Sequence, residues 1–88
     1  MPAGTTEEMW HKLRECESSN NYSLAYGQYH GAYQFSPDTW NWLARDHYPA
    51  LEGVLPSAAS PADQTKMAYK LYEVSGKGQW PVCGQHFP

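Results

Sequence analysis

The 88-residue sequence has little that would suit a nucleic acid or a membrane as partner. Six Lys and Arg stand against nine Asp and Glu, which gives a formal net charge of −3, and no stretch is rich in basic residues. Phosphate backbones are bound chiefly by clustered Lys and Arg, so we expect no nucleic-acid partner. No stretch approaches the roughly 18 apolar residues of a membrane-spanning helix, so no span is expected either.

Several common catalytic motifs are also missing. The sequence has no G-x-S-x-G, no Gly-rich phosphate-binding loop and no Cys-His constellation. The four histidines do not have the spacing of metal ligands; they are His11, His30, His47 and His86. We therefore expect neither a metal ion nor an organic cofactor.

Cysteine is scarce, with only Cys16 and Cys83 in the chain. Neither has the spacing of a metal or redox site, which leaves a disulfide or two buried free thiols. A domain this small buries only about 60–65% of the surface of its unfolded chain, so a covalent link would help it. A disulfide would indicate an extracytoplasmic protein, and free thiols a cytosolic one. We favour the disulfide.

The N-terminal segment MPAGTTEEMW has neither the charged nor the apolar part of a signal peptide. Residues 1–88 are therefore expected to be a single domain, with a core over 5–83, that was excised from a larger or exported chain.

Aromatic residues are abundant, with four Trp, seven Tyr and two Phe. Exposed rings would suit flat, hydroxyl-rich ligands such as sugars, but rings could equally fill a small core.

The first helix is predicted over residues 5–17. Thr5 and Glu8 match a capping box. Apolar side chains then recur at helical spacing, at Met9, Trp10, Leu13 and Cys16. The polar run at 18–21 ends the helix. Residues 22–35 are rich in Tyr and Gly, and we predict a loop there with a short hairpin around Gly27.

Two more helices are predicted to begin at Ser-Pro pairs. Ser36 and Ser60 would each cap a helix that starts with proline. The second helix should end before Pro49, and the connector at 49–59 should contain one helical turn at 51–54. The third helix should end at Gly76 and bury a stripe made of Met67, Leu71 and Val74. The tail at 78–83 is predicted to be non-helical.

Glu17 is the unusual residue of the first helix. At about 100° per residue it lies about 20° from Trp10 and about 40° from Leu13 around the helix axis, on the apolar face. Burial beside Trp10 and the negative end of the helix would both raise the pKa of Glu17, as a general acid requires. Alternatively, Glu17 is an ordinary helix-end residue, bonded to the Ser/Asn cap or paired with a lysine.

Three stretches carry a family resemblance: CESSNNY, YHGAYQFSPDTW and the terminal WPVC. In their order and spacing they resemble the catalytic domain of the resuscitation-promoting factors, which are small bacterial peptidoglycan-cleaving domains of the lysozyme-like, lytic-transglycosylase superfamily. The resemblance runs from Trp10 to Cys83. It implies a small, mainly α lysozyme-like α+β fold, with three helices, a Tyr/Gly-rich loop or hairpin after the first, and one disulfide.

The resemblance also implies roles for individual residues. Glu17 matches the sole catalytic glutamate, and Cys16 and Cys83 match the disulfide. The resemblance implies substrate-binding positions at Gln34, Thr39 and Tyr29, and we also expect substrate binding by His30, Tyr33 and Ser75. For two of these an ordinary explanation stays open, since Gln34 could only satisfy backbone groups and Thr39 could only serve the start of the second helix.

The chain departs from the family pattern mainly around the expected groove. Ser19-Asn20 stand where the family usually has Gly-Gly, and Tyr22 stands where it has Trp. Residues 25–28 replace a Thr-Gly-Asn-Gly loop. These departures affect the expected details of substrate binding more than the expected chemistry.

A single carboxylate favours one reaction. The other candidate acids are better explained by helix ends or solvated positions; they are Asp38, Asp46 and Asp63. Hydrolysis by the retaining or inverting route uses two carboxyl groups, whereas a lytic transglycosylase uses one. We therefore expect cleavage of peptidoglycan by a monomeric transglycosylase outside the cytoplasm, either secreted, in the cell wall or on a phage particle. Plain hydrolysis, a non-catalytic glycan-binding module and a signalling domain are the alternatives.

Overall fold

Three helices and one short hairpin make up the domain in a computed structural model that describes all 88 residues. Helix α1 spans Glu7–Ser18, α2 spans Pro37–His47 and α3 spans Pro61–Ser75. Strands β1 (Ala25–Tyr26) and β2 (Tyr29–His30) pair antiparallel around Gly27 and Gln28. The mainly α fold with a small sheet is confirmed, and so is the hairpin. No helix has both the length and the apolar character needed to cross a membrane.

The N-cap of helix α1 lies one residue later than predicted. The N-cap is Thr6, whose Oγ1 accepts a hydrogen bond from the Met9 backbone N–H at 3.3 Å. Thr5 is engaged elsewhere, because its Oγ1 donates to the Pro2 carbonyl and accepts from Trp10 Nε1 at 3.0 Å. The predicted capping role of Thr5 is therefore wrong, and Thr5 instead satisfies the indole N–H of a buried ring.

Helices α2 and α3 begin as predicted. Ser36 Oγ accepts from the backbone N–H of Thr39 at 3.2 Å, and Ser60 Oγ accepts from that of Asp63 at 3.1 Å. In each helix proline is the first residue, where its missing N–H costs nothing.

Other local predictions need correction. The buried stripe of α3 consists of Gln64, Met67, Ala68 and Leu71. Val74 is 46% exposed because the last turn of α3 lies at the edge of the core. The connector forms two short 3-10 turns, at Pro49–Leu51 and Pro56–Ala58, instead of one turn at 51–54. The tail, predicted to be non-helical, starts with a 3-10 turn at Gly76–Gln79.

The core is built around the indole of Trp10. Five rings surround it at centroid distances of 4.7–6.3 Å, from Tyr33, Tyr69, Tyr72, Trp80 and Phe87. Most of the contacts are edge-to-face or tilted, as aromatic pairs prefer. The high aromatic content therefore serves mainly to fill a small core, although Tyr26 and Tyr29 on the hairpin are exposed.

A single buried side chain holds the loop after the hairpin against α3. Gln64 Oε1 accepts from the Ala32 backbone N–H at 3.0 Å, and Gln64 Nε2 donates to the carbonyls of Tyr22 and Ala59 at 3.0 and 2.9 Å. Gly31 next to it has a φ of +84°, and a Cβ there would overlap the Gln64 amide. A glycine is therefore required for the close approach of loop and helix.

A disulfide joins Cys16 in the last turn of α1 to Cys83 in the tail, with a Cα–Cα distance of 5.7 Å and a sequence separation of 67. The predicted bond is confirmed. It ties two segments that are far apart in sequence to one side of the molecule.

Breaking this disulfide should strongly destabilise the domain. For a loop of this length the chain-entropy model gives about 4 kcal/mol, which corresponds to a fall in Tm of about 15–30 °C for a domain of this size. Thermal melts followed by circular dichroism, with and without reductant, measure the effect. The Cys16→Ser/Cys83→Ser variant should melt at the lower temperature under both conditions. A change of less than about 4 °C in the wild type, equivalent to about 1 kcal/mol, would contradict the prediction.

Candidate active site

Glu17 lies in the last turn of α1, at the meeting point of two cavities. One, of about 520 Å³, extends toward Ser19, Asn21, Leu24 and Tyr26. The other, of about 330 Å³, is bounded by the hairpin and the tail. A third cavity of about 180 Å³ continues from the second toward the start of α2. Gln34 lines all three, so together they form one groove that passes Glu17.

The carboxyl group of Glu17 is half-buried and has no hydrogen-bond or salt-bridge partner. Burial raises the pKa of Glu17 above its ordinary value. The alternative of a helix-end residue bonded to the cap or paired with a lysine does not hold. Ser18 Oγ donates instead to the carbonyls of Arg14 and Ala32, at 3.1 and 2.8 Å.

Glu15, two positions before Glu17 on the same helix, differs from Glu17 in its surroundings. Glu15 is exposed and its Oε1 lies 3.2 Å from His11 Nε2. The two carboxylates of the same helix turn therefore differ in both environment and pairing. The apolar wall beside Glu17, however, is formed by Trp80, Pro81 and Val82 of the tail, and not by Trp10, which is enclosed in the core.

Gln34 occupies the opposite side of the groove from the α1 terminus. Its backbone has a φ of 53°, in the left-handed region that non-glycine residues rarely adopt. Its Nε2 donates to the Gly31 carbonyl at 2.9 Å, and its Oε1 has no partner within the protein. Gln34 therefore satisfies a backbone group and still presents an amide oxygen that can accept a hydrogen bond from a ligand.

Two more of the predicted positions lie on the groove. Tyr29 lines both the second and the third cavity and is 46% exposed. Thr39 lines the third, and its Oγ1 accepts from Ser36 Oγ at 3.0 Å. The aromatic ring of Tyr29 and the hydroxyl group of Thr39 are groups that commonly bind sugars.

Three predicted substrate-binding residues are not brought to the groove surface. Tyr33 lines the third cavity but has no exposed area, and burial raises its pKa to about 12. Its hydroxyl instead accepts from Arg14 Nη1 at 3.0 Å and lies 2.8 Å from Thr65 Oγ1. His30 and Ser75 line none of the three cavities, since His30 faces Ser57 and Ser75 is exposed at the end of α3.

Sequence reasoning missed Gln79, an exposed amide next to both Tyr29 and Thr39 in the groove. It also missed the role of Trp80, whose Nε1 donates to the Tyr33 carbonyl at 3.1 Å while its ring lines the cavities. A usable signal existed, because a bond between Cys16 and Cys83 places the residues just before Cys83 near Glu17.

Glu17 is the only acidic side chain that lines the groove. No three His, Cys, Asp or Glu side chains are grouped so that they could hold a metal ion. The largest cavity, of about 560 Å³ between α3 and the N-terminal residues, does not include Glu17. The arrangement at the groove can donate and accept one proton beside hydroxyl-binding groups.

Known proteins share this sequence pattern. The model of the transglycosylase-like domain family matches residues 4–83. The resuscitation-promoting factor Rpf of Micrococcus luteus is 33% identical over 81 residues, which cover 91% of this chain and 33% of that protein. RpfA of Mycobacterium tuberculosis is 32% identical over 83 residues, covering 91% and 19%. The probable transglycosylase SceD 3 of Staphylococcus saprophyticus is 42% identical over 50 residues, covering 57% and 20%.

The chain thus spans between about a fifth and a third of the length of these relatives. The family match covers nearly the whole chain and includes all three helices, the hairpin and the groove. The chain therefore belongs to the transglycosylase-like domain family, as a diverged lysozyme-like member that is similar to the resuscitation-promoting factors.

Proposed function

We propose that this domain cleaves the glycan strands of bacterial peptidoglycan at the β-1,4 bond between MurNAc and GlcNAc, with Glu17 as general acid and base. The observation that carries the proposal is the half-buried, unpaired carboxyl of Glu17 at the centre of a groove that contains no other acid. The family assignment, and the similarity to a probable transglycosylase of Staphylococcus saprophyticus, support the same class of reaction.

The first step is a proton transfer from Glu17 to the glycosidic oxygen. The C1–O bond of MurNAc breaks, GlcNAc leaves with a free hydroxyl group, and positive charge develops at C1. The raised pKa of Glu17 favours the protonated form that this step requires. The side chains of Trp80, Pro81 and Val82 give the cavity an apolar wall beside the acid.

The second step uses the carboxylate that the first step leaves. Glu17 removes the proton of the MurNAc C6 hydroxyl group, and the C6 oxygen bonds to C1 to close a 1,6-anhydro ring. The nucleophile belongs to the substrate, so no second protein carboxylate has to activate a water. Glu17 ends the cycle protonated and ready for the next bond.

The groove offers side chains that can hold the sugars. We assign substrate contacts to Gln34, Thr39, Tyr29 and Gln79, whose amides, hydroxyls and ring line the cavities on either side of Glu17. The exposed ring of Tyr26, at 76%, adds a surface at the other end of the groove.

Two alternatives fit less well. Hydrolysis by the retaining or inverting route calls for a second carboxyl group, and the groove has none. A glycan-binding module without turnover would gain nothing from an unpaired, half-buried carboxyl, which costs stability. The disulfide is in keeping with action outside the cytoplasm.

Replacing the acid should abolish cleavage. Glu17→Gln keeps the shape of the side chain and removes the transferable proton, so release of soluble fragments from purified peptidoglycan should fall at least about 100-fold. Glu15→Gln is the matched control, since it changes an exposed carboxylate on the same helix turn, and its rate should equal that of the wild type. Mass spectrometry of the wild-type products should find anhydro ends; products heavier by one water would contradict the transglycosylase route.

The rate should fall as pH rises through the pKa of Glu17. Only the protonated acid can start the reaction, and burial places the pKa above the ordinary value of about 4.3. We therefore expect kcat/KM to be highest on the acidic side and to decline with a midpoint above that value. The assay is fragment release across a series of buffers at constant ionic strength. A midpoint at or below about 4.3 would contradict the assignment of Glu17 as a buried acid.

The same replacement should stabilise the folded domain at neutral pH. A carboxyl whose pKa is raised by folding binds its proton more tightly in the native state, so stability declines as pH rises from the ordinary to the raised value. Glu17→Gln removes this effect, worth a few tenths of a kcal/mol for a half-exposed group, and should raise Tm at pH 7 by about 2 °C. The difference should vanish below about pH 4. If the Tm of Glu17→Gln at pH 7 were lower than that of Glu15→Gln, the result would argue against this stabilisation.

A further inference from the structure

The turn that follows Glu17 is held in an unusual backbone conformation. Ser19 and Asn20 both have positive φ, 55° and 60°, although neither is a glycine. Left-handed backbone is unfavourable for residues with a Cβ, so helices usually end on glycine here. Two such residues in succession persist only where the surrounding structure holds them.

Arg14 supplies two of the hydrogen bonds that hold this turn, beside that from the Ser19 N–H to the Glu15 carbonyl at 3.0 Å. The backbone N–H of Asn20 donates to the Arg14 carbonyl at 3.1 Å, and Arg14 Nε donates to Asn20 Oδ1 at 2.8 Å. Arg14 therefore binds the same residue through both its main chain and its side chain. It lies three residues before Glu17, so the closed segment Arg14–Asn20 contains Glu17.

The guanidinium of Arg14 is itself fixed. It is 8% exposed, its Nη1 donates to Tyr33 Oη at 3.0 Å, and its Nη2 lies 3.1 Å from Glu7 Oε1. Tyr33 Oη is in turn 2.8 Å from Thr65 Oγ1 on α3. Asn20 is thus anchored to the core and to α3 through a buried cation with partners on three of its nitrogens.

We propose that Arg14 is a positioning residue, whose hydrogen bond to Asn20 holds the left-handed turn after α1 and thereby fixes Glu17 opposite Gln34 in the groove. This inference rests on the proposed function. The carboxyl of Glu17 makes no bond of its own, so its position depends on the backbone that carries it. Displacements of about 1 Å at a reacting group can reduce a rate about 100-fold.

The position of Arg14 on the helix separates this role from a purely structural one. Its bonds to Tyr33 and Glu7 stabilise the fold, but only its bond to Asn20 reaches the turn. If Arg14 were purely structural, replacing it would lower Tm without altering kcat at temperatures where the protein is folded. A positioning role alters kcat while KM stays constant, since the groove residues that contact substrate are unchanged.

The test compares three single variants and one double variant, all assayed at least 15 °C below their own Tm. Arg14→Met removes the guanidinium and keeps a long side chain. Asn20→Gly removes the acceptor and suits the left-handed turn, so it will fold even if Arg14→Met does not. Glu7→Gln is the control, because it loses the ion pair of Arg14 but leaves the bond to Asn20 in place.

We expect Arg14→Met and Asn20→Gly each to lower kcat on peptidoglycan fragments about tenfold, with KM within twofold of wild type. The kcat of the double variant should be no lower than that of either single variant, because the two substitutions remove the same hydrogen bond. Glu7→Gln should lower Tm and leave kcat unchanged. Full kcat in Asn20→Gly, or additive losses in the double variant, would overturn the inference.

A second readout does not depend on activity. Backbone chemical shifts of Ser19 and Asn20 in isotope-labelled protein report whether their φ angles stay positive. In Arg14→Met these shifts should move toward averaged values, while those of α2 and α3 stay unchanged. Unchanged shifts at both residues would overturn the inference that Arg14 holds the turn. If the wild type releases no fragments at all, the proposed function fails, and the shifts still decide whether Arg14 holds the turn.

Discussion

A carboxyl group kept half out of water without a partner is the constraint around which this domain is organised. Folding must place Glu17 beside apolar groups and withhold every donor that would neutralise it, although both are unfavourable. Three separate parts of the chain contribute: the end of α1, the loop that carries Gln34, and the tail at 80–82. Each is attached to the rest by polar bonds or by the disulfide, and none of those bonds uses the carboxyl itself.

The aromatic core makes this arrangement possible in so short a chain. Trp10 lies on α1 about two turns before Glu17. The rings that surround Trp10 come from the loop, from α3 and from the tail. The same cluster that stabilises the fold therefore sets the relative positions of the elements that line the groove. Gln64 completes the support by binding two backbone groups of the loop and one of the connector before α3 at once.

The sequence was informative where its signals are local. Ser36-Pro37 and Ser60-Pro61 mark helix starts because side-chain capping and the fixed φ of proline act within a few residues. Helical spacing alone singled out Glu17 as a carboxylate on the apolar face of the first helix. Thr5 and Thr6 could not be told apart, since both have the same chemistry and only the tertiary contact of Thr5 with Trp10 decides between them.

The errors lie where long-range contacts decide the outcome. Tyr33 was expected to bind substrate, yet it has no exposed area, and Arg14 and Thr65 bind its hydroxyl from two helices. Gln79 was overlooked because it reaches the groove only through the path of the tail. Val74 matched the helical period, but periodicity does not tell where a helix leaves the core.

The disulfide has a further consequence for when this domain can work. Cys16 is the immediate neighbour of Glu17 and Cys83 that of Val82, so one covalent bond joins the end of α1 to the tail segment that lines the cavity of Glu17. Without this bond the tail would be held mainly through Trp80, which packs on Trp10 and donates to the Tyr33 carbonyl, and the segment next to Glu17 would be less firmly fixed. The activity proposed for Glu17 would then depend on the redox state of the compartment in which the domain acts.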